Sequence, residues 1–243
     1  MSSSLPLPLS AAHVVRQHDR WLATAGWPQV RPSHHAELPD GSETATVVVA
    51  GKVRPLWTWI HTNHACNARL WAEEDLARRT RVSAQEIADN KRAIDGFNQA
   101  RNDAIERIDE LLLIQLGLLH PASGEELLPD PSAAGVRLNS ETAGSMTDRL
   151  SILALKIRAM GLQVQRRDVG EEHLATCRAR LARLHRQRDD LAACLDALLE
   201  ETRDGRAYFK LYRQFKMYND PRLNPVLVAE QAGLPVALQA GGR

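Results

Sequence analysis

The sequence predicts an all-α protein, an antiparallel bundle of four to five helices behind an irregular N-terminal lead-in. Three observations carry this. From Pro55 onward, apolar residues recur at steps of three and four, the period of helices that each bury one face. The breaks between these stretches are short, which favours antiparallel neighbours. TVVVA at 46–50 is the sole β-branched run of note, and the pattern offers it no partner. The 243 residues accordingly divide into an irregular segment at 1–54, a single helical-bundle domain at 55–225 and a flexible tail at 226–243.

In chain order, the lead-in opens on Pro and Ser, allows a short helix over 11–25, and continues through QVRPSHHAELPDGSETA, which reads as loop. The first long helical pattern runs from Pro55 to Arg79. At TRVSAQEIAD the next begins, where Ser83 and Glu86 form a capping box that satisfies two otherwise orphaned N–H groups. It extends to about Leu119, with Ile94, Phe97, Ile105, Ile108 and Leu112 on one face. HPASGEELLPDPSAAG then reads as a linker. Ser145 with Asp148 is the expected cap of a third helix reaching about Met160, with Gly144 permitting the turn before it. The fourth carries Leu174, Cys177, Leu181, Leu184, Leu191, Leu195 and Leu198 at heptad steps, broken by Arg188 where an apolar residue is due.

Composition narrows the function. The apolar fraction of 44% and charged fraction of 25% are those of an ordinary soluble globular protein. A net charge of +1 gives no electrostatic reason to expect nucleic acid or an anionic membrane. The basic-aromatic run around Tyr208, Phe209, Tyr212, Phe215 and Tyr218 is assigned instead to a terminal helix docking on the bundle. Three widely spaced cysteines point to reduced thiols and a cytoplasmic location. No secretory signal and no run of ~18 apolar residues is seen, so no membrane span is expected. His61 and His64 share a helical turn, but Glu74 and Asp75 lie too far along to share an ion with them. No metal or cofactor is expected, and no phosphate-loop or nucleophile-elbow motif occurs.

The polar residues conflict with the apolar pattern in three places. In HACNARLWAEEDLAR, at about 100° per residue, His64, Asn67, Trp71, Glu74, Asp75 and Arg78 share roughly a third of the circumference. Two readings stand: an internal salt-bridge network, with Glu74–Arg78 worth ~0.3–0.5 kcal/mol if exposed, or a cleft converging on a polar ligand, with Trp71 as a stacking wall. Along the second long helix, Lys91, Asp95, Asn98, Asn102, Glu106 and Asp109 form a stripe that fits a solvated face or a buried wall, and Arg101 projects within the apolar face. Arg149 and Lys156 lie seven residues apart between two apolar sectors. Buried unpaired they would be costly, so they must meet carboxylates, a ligand anion or water. SETAGSM opens the same helix, whose free N–H groups attract an anion.

HACNARLWAEEDLAR, KRAIDGFNQARNDAIERID, LNSETAGSMTDRLSILALKI and QFKMYNDPRLNP resemble the four signature blocks of the bacterial family known as domain of unknown function 4254. The blocks span 64–225 and leave out the first 50 residues and the heptad helix. The resemblance groups His64, Asn67, Trp71, Glu74, Asp75 and Arg78. It adds Lys91, Arg92, Asp95, Asn98, Gln99, Arg101, Asn102 and Asp103, then Asn139, Ser140, Glu141, Thr142, Ser145, Asp148, Arg149 and Lys156, and finally Lys216, Tyr218 and Asn219. It implies no established reaction, and a gene neighbourhood of surface-glycan glycosyltransferases. Ala68 and Ala143 depart from the family pattern, which usually has an aromatic residue and a proline there.

Together these readings predict a polar cleft lined by 64–78, 86–109 and 145–156 that binds an anionic or polyhydroxylated small molecule. A sugar phosphate or nucleotide sugar of bacterial surface-glycan metabolism fits both the site and the resemblance. Arg101, Arg149 and Lys156 would hold negative charge, while Asn67, Asn98 and Asn102 would contact hydroxyls. If the site performs chemistry, His64 is the first candidate acid or base, followed by Glu74 or Asp95. Two alternatives stand beside this: an accessory protein docking on a glycosyltransferase, and polar residues that only fix helix register through buried pairs.

Overall fold

The computed structural model describes residues 7–28, 46–49, 52–129, 135–213 and 222–233. The chain falls into two units, 1–211 and 212–243. The first is a helical bundle of α1 (Ala11–Ala23), α2 (Leu56–Ala77), α3 (Ala84–Gln115), α4 (Ala143–Val164) and α5 (Glu171–Arg203). Helix α4 packs against each of the other four, while α2 lies along α3 and α1 also touches α5. In the second unit, α6 (Pro225–Gln231) starts at Asn224, whose side chain accepts from the Val226 N–H. None of the described helices is long and apolar enough to cross a membrane.

The short helix allowed at 11–25 is α1, capped by Ser10 and burying Ala11, Val14, His18, Trp21 and Leu22 at helical spacing. Two polar contacts tie it to α5. The Ala11 N–H donates to Asp196 at 2.7 Å, and Arg188 donates to both carboxylate oxygens of Asp19 at 2.9 Å. That second contact explains the interrupted heptad, because a nearly covered guanidinium at this position is paired across the helix interface. TVVVA, lacking a visible partner, was expected to lie in an irregular lead-in; instead β1 (Thr46–Val49) pairs antiparallel with β2 (Lys52–Pro55), Thr46 opposite Pro55. The partner KVRP has one β-branched residue and a proline, so pattern alone does not mark it as a strand.

Helix α3 begins at the expected Ser83–Glu86 capping box. The cap of α4 is Thr142 rather than Ser145: its hydroxyl oxygen accepts the Ser145 N–H at 3.1 Å, and the helix starts at Ala143. Gly144 therefore lies inside the first turn, where it serves close approach rather than turning. A Cβ there would stand 2.6 Å from the Ile105 carbonyl oxygen and 2.9 Å from the Asp109 carboxyl of α3. Two short strands, β3 (Arg137–Leu138) and β4 (Ala207–Tyr208), pair in parallel and bring the chain before α4 beside the chain after α5. The core between the helices is formed by Leu56, Ile60, Ile108, Leu112, Leu150, Leu195, Leu199 and Phe209, all fully buried, each contributing about 1.5–3 kcal/mol.

Gly144→Ala is expected to destabilise the protein by about 1–3 kcal/mol, since α3 and α4 must separate to admit the methyl group. Gly161→Ala in the same helix, with nothing within 4 Å of the added Cβ, should gain about 0.5–1 kcal/mol. Denaturant unfolding of the two variants measures the difference, and equal effects would remove close packing as the reason for Gly144.

Candidate functional site

Where α1, α2 and α4 meet, their inward faces carry polar side chains instead of an unbroken apolar seam. Asn63, His64 and Asn67 come from α2, Asp148 and Ser151 from α4, and His18 from α1, all buried. Asn63 and Asn67 each donate an amide hydrogen to Oδ1 of Asp148 at 2.8 Å, and Asn67 donates its other to Ser151 Oγ at 3.0 Å. A carbonyl only accepts, so Nε2 of His64 carries the proton and donates to the His18 backbone oxygen at 3.2 Å. Nδ1 is then left to accept from the Ser151 hydroxyl at 2.6 Å. The chain thus has one direction: amides toward the carboxylate and the hydroxyl, hydroxyl to imidazole, imidazole to backbone.

Aromatic rings close the cluster. His64 is stacked against both His18 (ring centroids 4.2 Å apart) and Trp27 (4.7 Å). His61 accepts from the Trp27 indole N–H at 3.2 Å and meets Trp21 edge-on at 4.8 Å. Burial holds all three imidazoles neutral: it lowers His18 from 6.5 to about 3, helped by Arg188 and His61, and pushes His64 and His61 below their ordinary value. Neither ring nitrogen of His18 has a hydrogen-bond partner among the described residues. Burial also pushes the Cys66 thiol up to about 12, which makes it inert. It raises Asp109 to about 7, against the pull of hydrogen bonds from Thr142 and the Gly144 N–H at 2.7 Å.

The stripe in HACNARLWAEEDLAR is divided along its length. Its first turns are buried, and from Trp71 onward α2 faces solvent. Glu74 and Asp75 pair with Arg78 at 3.2 and 3.6 Å on the open surface, where such contacts are worth little. Lys91 and Asp95 form another exposed pair. His64 and Glu74 stand ten residues apart, about 15 Å along the helix axis, so His64, Glu74 and Asp95 are not gathered into one constellation. Asn98, Arg101 and Asn102 are half-buried on α3, Ser140 is exposed, and Ser145 sits in the first turn of α4. Lys216, Tyr218 and Asn219 lie outside the described residues. Of the expected set, Asn67 and Asp148 join His64 in the buried cluster, while Trp71, Arg149 and Lys156 face a groove.

That groove runs between α4 and α5. One lobe, about 580 Å³, has Glu141, Arg149, Lys156, Gln187, Asp190 and Cys194 around apolar Met146, Ile152, Leu153 and Leu191. The other, about 380 Å³, has Trp71, Lys156, Gln163, Arg180, Arg183 and Gln187 around Ala159, Met160 and Leu184. Lys156 and Gln187 belong to both lobes. The lining positions recur at steps of three and four on each helix, one stripe apiece. Arg149 is paired with Glu141 at 2.5 Å. Among the described residues, Lys156, Arg180, Arg183 and Asp190 make no ion pair or hydrogen bond. The sequence reading offers His61 only as a metal ligand beside His64 and puts Ser151 on the solvent face of α4, whereas Ser151 is buried. It does not mark His18 or Asn63 in the cluster or Arg180, Arg183, Gln187 and Asp190 in the groove. The second, polar stripe beside the α5 heptad was the signal for the latter.

The model of a family described as Protein of unknown function (DUF4254) matches residues 57–211, from the first turn of α2 to the residues after β4, with α1 outside the match. No curated protein and no solved structure matches the chain.

The buried groups make stability depend on pH with opposite signs. His18 has its folded value depressed, so its contribution is complete above about pH 6.5 and is lost progressively as pH falls toward about 3. Asp109 has its folded value raised, so its contribution is greatest below about pH 3.8 and is lost as pH rises through about 7. Thermal unfolding should therefore show an acid limb that flattens in His18→Phe, and Asp109→Asn should raise Tm more at about pH 8 than at about pH 5. An acid limb equally steep in His18→Phe would assign it to other groups. Asp148→Ala strands two buried amides and is expected to cost about 1–3 kcal/mol, measured by urea denaturation.

Proposed function

The chain belongs to the DUF4254 family, and for it we propose that the α4–α5 groove binds an anionic small molecule carrying phosphate. The observation that carries this reading is the smaller lobe, where Lys156, Arg180 and Arg183 line one wall system with no carboxylate among the lining residues. Three like charges around one concavity repel each other, and an anion placed among them relieves that repulsion while gaining charge-assisted hydrogen bonds. Arginine guanidinium forks match phosphate oxygens two at a time, and Lys156 adds a mobile ammonium at the junction of the lobes. The half-exposed ring of Trp71 offers a flat apolar wall, and Gln163 and Gln187 offer amides to hydroxyls.

The sequence expectation that Arg149 and Lys156 would hold an anion is kept in part. Lys156 retains the role, Arg149 is engaged by Glu141, and the partners of Lys156 come from α5 rather than from Arg101 of α3. Sugar phosphates and nucleotide sugars belong to the class this lobe would take. For the buried cluster of His64, Asn67, Asp148 and Ser151, the closed pairing of donors with acceptors supports a structural role, fixing the register of α1, α2 and α4.

Titration calorimetry with pyrophosphate tests the groove. Lys156→Ala, Arg180→Ala and Arg183→Ala are each expected to weaken binding about tenfold, the equivalent of ~1.4 kcal/mol. Affinity should fall as salt is raised. Unchanged binding in the triple variant would sink the proposal.

A further inference from the structure

We infer that the groove is built for a nucleoside diphosphate bearing a polyhydroxylated group, bound lengthwise: base on Trp71, diphosphate among Lys156, Arg180 and Arg183, hydroxyls on Asp190. This rests on the preceding reading of the groove as an anion site. Its basis is the unequal chemistry of the two lobes. The smaller lobe has three cations and an accessible indole. The larger has two carboxylates, of which Glu141 is neutralised by Arg149, while Asp190 has no ion pair or hydrogen bond among the described residues.

An unengaged carboxylate repels phosphate but accepts hydrogen bonds from hydroxyls at about four lone-pair positions. The ligand must therefore change character along the groove, from anionic beside Arg180 and Arg183 to hydroxyl-rich beside Asp190. Lys156 and Gln187 border both lobes and mark the junction. On α4 the lining runs from Met146 to Gln163, a rise of about 25 Å at 1.5 Å per residue, and lobes of about 580 and 380 Å³ lie within the range of small-molecule sites, ~300–1,000 Å³. Free pyrophosphate would leave Trp71 and Asp190 unused. A single-stranded nucleic acid laid along the groove would bring its repeating phosphates against Asp190 and Glu141, so the polymer is disfavoured and the single diphosphate preferred. The base gains from stacking on Trp71, a contact that tolerates any base; its identity is left open.

Calorimetry on the full chain with pyrophosphate, uridine and adenosine diphosphates, their glucose conjugates and an oligouridine separates the outcomes. The expected order is conjugate tighter than diphosphate, and diphosphate tighter than pyrophosphate. Trp71→Ala should weaken both nucleotide classes about tenfold and leave pyrophosphate unchanged. Asp190→Ala should weaken the conjugates about tenfold and leave the free diphosphates equal or tighter. Both side chains are exposed, and unchanged melting confirms that the variants fold. Equal affinity for pyrophosphate, diphosphates and conjugates, insensitive to both substitutions, overturns this inference and leaves the anion site standing. Failure of every probe, pyrophosphate included, overturns both. Tighter binding of the oligouridine than of any diphosphate overturns the inference in favour of a polymer.

Discussion

A directed run of hydrogen bonds from Asn67 through Ser151 and His64 to the His18 carbonyl, anchored at Asp148, holds α1, α2 and α4 together. Apolar seams tolerate small slides of one helix past another, because dispersion is non-directional. A buried amide or imidazole does not, since a lost partner leaves an unsatisfied group in a region without water. The three helices are thereby fixed in depth and rotation, and the neutral histidines follow from the same burial. A charged imidazole at His18 would lie fully desolvated beside Arg188, so burial holds this ring neutral.

Helix α4 is the element on which this constraint acts most widely. Its first turn is pressed against α3 through Gly144 and Asp109, one stripe carries Asp148 and Ser151 into the polar cluster, and Leu150 enters the apolar core. Each of these uses the inner circumference. The remaining stripe, from Met146 to Gln163, faces α5 and, at one lobe, Trp71 of α2, and lines the groove. The cations between the two apolar sectors of α4 thus avoid burial: Arg149 meets Glu141, and Lys156 reaches solvent at the junction of the lobes. A polar residue inside an apolar pattern has a comparable cause at Arg188, which answers Asp19 of α1.

Local rules were legible where the interaction is local. The Ser83–Glu86 capping box spans three residues, so sequence spacing alone specifies it. The cap of α4 was misplaced by three residues because Ser145 and Thr142 are both good caps, and the choice rests on the approach of Asp109 to the Gly144 N–H. In the HACNARLWAEEDLAR stripe His64 and Asn67 are buried, while Glu74, Asp75 and Arg78 form solvated ion pairs. A helical wheel sums over length and cannot separate them, whereas the change from buried to exposed along α2 does so at once.

The sequence by itself determined the helical class, the course of the four long helices, and the presence of polar side chains where apolar ones were due, because periodicity and capping act within a few turns of one chain. Only the tertiary structure decided that α1 completes the core, that His64, Asn67 and Asp148 face one another, and that Lys156 joins Arg180 and Arg183 across the α4–α5 seam. Those pairings join residues up to 133 positions apart in the case of His18 and Ser151 through His64, and what sets them is which helix faces pack together, a property of the assembled bundle rather than of any single segment.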